Sequence, residues 1–181
     1  VETVLFLAIG LVMTGHVIIT PMVMVILLLT NDFLTMALTT DSASPSPSPE
    51  KWRLDRITIA AVMLGLGKLA FSTAMLAAGK FLLGFDLERL RTLAFVALAF
   101  GGQAIVYSIR ERRAFWRSRP SNWLLTSSAA DLAIAGALSA FGILMAPLPL
   151  RLITVVLAAS VLFGFAIDRI KPPLLRGLGS A

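Results

Sequence analysis

The chain has 181 residues, 57% of them hydrophobic and 14% charged, with a net charge of +6 and a mean hydropathy of +0.88. A soluble domain of this size is nearer half apolar and a quarter charged, so the composition reads as an integral membrane protein whose length counts spans rather than soluble domains. There is no Cys, which excludes a disulfide framework and a thiolate metal site; the single histidine, His16, excludes a histidine-cluster metal site, and basic residues placed between apolar runs point to a lipid bilayer rather than nucleic acid.

In chain order the apolar runs are Thr3–Met13, Pro21–Leu38, Ile57–Gly79, Thr92–Ile109, Trp123–Ala146 and Leu148–Ile167. They are continuous rather than alternating, which predicts helices and not barrel strands. The first is too short to cross about 30 Å of hydrocarbon, which takes roughly 20 residues. It reads as the end of a truncated helix, and the chain as a C-terminal fragment. The expected fold is an all-α membrane bundle of about six transmembrane helices, the first truncated. Residues 1–40 then hold the end of one helix and the complete second one. Residues 41–56, "DSASPSPSPEKWRLDR", read as a Ser/Pro linker. Residues 57–170 form a four-helix support bundle, and 171–181 a short tail.

Local signals refine these elements. Thr20-Pro21 reads as an N-cap followed by Pro at the first helical position. "PLP" at Pro147–Pro149 reads as a tight turn. Gly101-Gly102, and Ala133, Gly136, Ala137 and Ala140, permit close helix contact of the ordinary membrane kind. Lys51, Arg53, Arg56, Arg110, Arg112, Arg113, Arg117, Arg119, Arg169, Lys171 and Arg176 fall on one side of the predicted spans. Only Lys80, Arg89, Arg91 and Arg151 fall on the other, so the first group should be cytoplasmic and the C-terminus with it.

Ionisable groups inside a span cost about 2.5–3.5 kcal/mol on insertion scales and are functional hypotheses by default. The candidates are Glu2, Asp32, Lys68 and Asp131, with Asn31 and Gln103 as neutral companions. Asp32 lies about 17 Å along its helix, near mid-membrane, and shares a face with Thr35 and Thr39. A carboxylate there can bind and release a proton as its neighbours change; the competing reading is a structural hydrogen bond or ion pair. Lys68 is mid-span and reads as a structural ion pair or polar anchor, with Asp131 as a plausible partner. Asp131 itself reads as structural. Gln103 is expected to hydrogen-bond across helices. Glu2 would face Asp32 if the first two helices pack as a hairpin, as their short connection suggests. His16 reads as a solvated loop residue, and the Arg cluster at 110–119, with Phe115 and Trp116, as an interface anchor.

These residues carry a family resemblance. "PMVMVILLLTND", then "TMALTTD", then "SPSPSPEKWRL" resembles the sixth transmembrane helix and following loop of plasma-membrane-type proton-transporting P-type ATPases. "GQAIVYSIRERRAFW" is similar to the end of that family's eighth helix, and "AADLAIAGALSAFG" to its ninth. The resemblance covers essentially the whole chain and is most specific from Pro21 to Leu54. It implies the C-terminal membrane portion of an ATP-driven proton exporter in the plasma membrane, with Asp32 as proton carrier beside Asn31. Thr35, Glu2, Lys68, Gln103 and Asp131 are possible supporting residues. Glu2 is the nearest match to a charged residue on the family's fifth helix, but it cannot supply the cation that an Arg would. Mg²⁺ and ATP are implied for a complete pump and neither for this fragment, which has no catalytic residue of its own. Its partners would be protons, lipid, and the N-terminal membrane and cytoplasmic domains of the same pump. The sequence contains no Asp-Lys-Thr-Gly-Thr, Thr-Gly-Asp or Gly-Asp-Gly-x-Asn-Asp motif, so this chain alone should not hydrolyse ATP. Two alternatives stand beside this reading. One is a P-type pump for another cation, which would need several oxygen ligands. The other is a stand-alone, non-enzymatic membrane subunit.

Overall fold

The computed structural model describes residues 2–39, 54–110 and 120–177, and the side chains within them except those of 54–57 and 170–177. Most of the Ser/Pro linker, the cluster from Arg112 to Arg119 and the last residues of the tail lie outside the described residues. The described residues form α1 (Glu2–Thr14), α2 (Pro21–Thr39), α3 (Leu54–Ala77), α4 (Leu87–Arg110), α5 (Asn122–Phe141) and α6 (Leu150–Gly177), and no strand occurs among them. A wide π turn over Ala78–Leu82 extends α3. Five of these helical stretches are long and apolar enough to cross a membrane, and α1 is a shorter apolar helix.

The helix ends follow from local chemistry. Thr20 accepts from the Val23 amide at 3.5 Å, and Pro21 opens α2 with the φ that a first turn needs. Ser121 caps α5 by accepting from the Leu124 amide at 3.2 Å. That helix stops at Phe141, earlier than the expected Ala146. Gly142 adopts φ 70°, a left-handed conformation that glycine takes without a Cβ penalty, and the Ile143 amide returns to the Leu138 carbonyl at 2.9 Å. The "PLP" segment is therefore the end of a longer connection, whose Leu144 also has a positive φ of 66°. At the other extreme, α6 stays helical to Gly177, beyond the expected boundary at residue 170; the apolar pattern does not account for this extension.

Helix α4 is the hub. It packs against α2, α3, α5 and α6, while α1 packs on α3. Of its best apolar window 78% is buried, against 11–28% for the other four long helices. The run from Thr92 to Gln103 is buried without a break, so α4 has no outward face at that depth. Its small residues, Ala94, Ala97, Ala99, Gly101 and Gly102, let four neighbours approach closely. Phe6, Ile18, Leu76, Ile153 and Val156 complete the core around it. The outer helices bury one side and expose large apolar side chains on the other, such as Met22, Leu29 and Phe33 on α2 and Val155 and Leu162 on α6. Helices that are apolar all round are those of a large core or a membrane bundle.

Phe71 of α3 stacks on Phe163 of α6, ring centroids 4.8 Å apart, a contact worth about 0.5–1.5 kcal/mol beyond its area. One end of the bundle is tied by polar cross-links between connections. Lys80 donates to the Met13 carbonyl, Arg91 Nε to the Val17 carbonyl at 3.1 Å, and Thr92 Oγ1 to the Ala146 carbonyl at 2.7 Å. His16 lies exposed at this end and, among the described residues, is bonded to Thr14.

Candidate ion site at the centre of the bundle

Four helices bring polar groups to one place, and α4 adds apolar wall. A cavity of about 190 Å³ is lined by Glu2 and Thr3 of α1, by Met24, Leu27, Leu28, Thr30, Asn31 and Leu34 of α2, by Lys68 of α3, by Leu98 and Ala99 of α4, and by Asp131 of α5. It is large enough for several waters and has the polar partners that water requires. Apolar side chains from α2 and α4 form much of its wall, so the charged groups sit in a poorly solvated setting.

Lys68 makes an ion pair with Glu2, Nζ to Oε2 at 3.1 Å, and both side chains are largely buried. This corrects the expected pairing of Lys68 with Asp131. It also corrects the expected packing of α1 against α2 as a hairpin, because α1 packs on α3. The short connection brings α2 to the cavity but not into close backbone contact with α1. Ile18 and Ile19 of that connection are buried in the core.

Asp131 belongs instead to a hydrogen-bonded chain between α4 and α5. Gln103 donates through Nε2 to Asp131 Oδ2, and Ser128 Oγ donates to Gln103 Oε1 at 2.7 Å. The expected cross-helix bonding of Gln103 is thus present, with both ends of its amide used. Thr30 of α2 adjoins the same carboxyl. All three members of the chain are buried, and Asp131 is 8% exposed.

Gly102 sets the spacing between these two polar groups. A Cβ there would lie 3.8 Å from Asn31 Oδ1 and 3.9 Å from Lys68 Nζ, so both side chains converge on bare α4 backbone. The Lys68 stem crosses Gly101 in the same way, its Cγ 3.8 Å from where a Cβ would be. A branched side chain at Gly102 would crowd the ammonium, whereas a Cβ at Gly101 would first meet the Phe71 ring at 3.2 Å.

Asn31 and Asp32 divide. Both side chains are exposed, but Asn31 lines the cavity, and Asp32, about 100° further round the helix, does not. Thr35 is exposed too, with its hydroxyl turned back to the Asn31 carbonyl at 2.8 Å. Of the residues named from sequence, the cavity brings together Glu2, Asn31, Lys68 and Asp131, with Gln103 behind Asp131; Asp32 and Thr35 lie outside it.

Ser128 and Thr30 are participants that sequence reading missed. Ser128 carried a signal, since it stands three residues before Asp131 and such pairs share a helix face. Thr30 immediately precedes the Asn31-Asp32 pair. No group of three or more His, Cys, Asp or Glu among the described residues is arranged to hold a metal ion. The cavity's one ammonium and apolar wall do not fit a Mg²⁺–ATP complex. No known protein family matches the chain, and no curated protein matches it.

Proposed function

We propose that this chain is the C-terminal membrane portion of an ATP-driven proton-exporting pump of the plasma-membrane P-type class, a multi-pass protein with a cytoplasmic C-terminus. The observation that carries the reading is the charged, amide-lined cavity enclosed by helices that are otherwise apolar, opening beside the Asn31-Asp32 pair. Buried ion pairs and amides are costly in hydrocarbon, and such groups mark ion pathways in membrane bundles. The sequence resemblance supplies the class of pump, and the uneven Lys/Arg distribution supplies the orientation.

In this reading Asp32 is the carrier. Its exposed position on α2 is where further helices of a complete pump would pack. A carboxylate at that interface takes up a proton when desolvated and loses it when a cation or hydrogen-bond donors approach. Asn31, one residue away and lining the cavity, ties the state of the cavity to the position of Asp32. A proton fits better than a larger cation. Divalent cations take six or more oxygen ligands, whereas this cavity carries the Lys68 ammonium, which has donors and no acceptor.

The test is ATP-driven acidification of vesicles containing the complete pump. Asp32→Asn is expected to abolish coupled proton transport while the protein still folds. Acidification at the wild-type rate by that variant would reject Asp32 as carrier.

A further inference from the structure

Asp131 is a second carboxylate with its own capacity for protons. The cavity cluster has two carboxylates and one ammonium, and Glu2 takes the ammonium. Asp131 is left over: no cation pairs with it among the described residues. Its Oδ2 receives the Gln103 hydrogen bond, but its Oδ1 is buried and receives none. The side chain is 92% buried by its 8% exposure, and it lines the cavity.

The groups around it are few. Helix α4 presents Gln103, and α2 presents Thr30 and Asn31; Glu2 and Lys68 share the cavity from α1 and α3, and α6 contributes no cavity-lining residue. None supplies the missing positive charge.

We infer that Asp131 is a proton-binding site, with Oδ1 as the atom that exchanges a proton with cavity water. The step balances simply: hydronium gives its proton to the Oδ1 lone pair, an O–H bond forms, and one water is released. The reverse step returns the proton. Gln103 is the positioning residue. By donating to Oδ2 it fixes the carboxyl, and Ser128, donating to Gln103 Oε1, fixes the amide in the orientation that presents Nε2 to Asp131. A metal cation is disfavoured by the Lys68 ammonium in the same cavity. The inference goes beyond the carrier assignment of Asp32 and needs no ATP-driven turnover.

Infrared difference spectroscopy of the full chain in lipid nanodiscs, scanned across pH, tests it. A protonated-carboxyl band is expected to titrate reversibly, to vanish in Asp131→Asn, to shift in Gln103→Leu and to persist in Asp32→Asn. Asp131→Asn keeps an oxygen to accept from Gln103 and so preserves the packing. Should that variant fail to fold, Asp131→Glu serves instead, because it retains a carboxyl and must move the band. Absence of a titrating band, its survival unchanged in either Asp131 variant, or its loss in Asp32→Asn would overturn the proposal. A positive result with failed vesicle acidification would leave the proton site standing and remove only the pump reading.

Discussion

Asp32 and Asp131 are both carboxylates within long apolar helices, and their surroundings differ in almost every respect. Asp131 is buried between α4 and α5, fixed through Oδ2 by an amide that is itself fixed by Ser128. Asp32 is exposed on the face of α2 that also displays Val25, Phe33 and Met36. The first is part of what holds these six helices together. The second contributes nothing to their packing, so its presence on an apolar face calls for a reason outside the bundle. The contrast separates two demands on a polar residue in an apolar helix: one is met by partners within the bundle, and the other is left for whatever packs against it.

The sharpest way to break that contrast is to disturb the charge balance inside the cavity. Lys68→Met leaves the Glu2 carboxylate buried without its cation and should destabilise the bundle by about 3–5 kcal/mol. Adding Glu2→Gln should recover most of that loss, because the pair is then replaced rather than broken. Reversible unfolding in bicelles measures both, and an additive double variant would mean that the two groups are not coupled.

Next in size is Gly102→Leu, which places a branched side chain where Asn31 and Lys68 converge. Overpacking of this kind costs about 1–3 kcal/mol; Gly102→Ala, whose Cβ meets only ordinary contacts, should be nearly silent in the same assay. Gln103→Leu follows, with a loss of about 1 kcal/mol, since interhelical hydrogen bonds in bilayers are worth about that much. Ser128→Ala should add little to Gln103→Leu, because both act through one chain. Smallest is Asp32→Asn, which should leave the unfolding of this chain unchanged. A clear destabilisation there would show that Asp32 has an internal partner and would erase the contrast.

The number of helices and their approximate bounds were legible because each apolar run is continuous, and all but the first are long. So was the position of Asp32, Lys68 and Asp131 along their helices, since it follows from counting residues. What a run of letters does not carry is azimuth and neighbourhood. Lys68 and Asp131 are both near mid-helix, which made them natural partners on depth alone, yet Glu2 reaches Lys68 because α1 lies on α3. Asn31 and Asp32 looked like one polar unit, and the helical rotation between them leaves only Asn31 lining the cavity, though both are exposed. Burial of Ile18 and Ile19 in the α1–α2 connection was unreadable for a related reason. A short linker looks like solvent-facing chain until the fold shows what it fills. The early end of α5 had a visible sign in Gly142, masked by the apolar residues that continue to Ala146.

The enclosure of α4 also bears on the order in which the bundle can be built. A chain made from its N-terminus delivers α4 before the two helices that complete its coat. Until α5 arrives, Gln103 has neither Asp131 nor Ser128, and until α6 arrives a long side of α4 lacks its largest neighbour. Synthesis halted after Phe141 would therefore leave the hub partly bare, its amide bonded but its flank open. The last helix acts as a closing piece, and damage to it should be felt first at the centre, far along the chain from the damage itself.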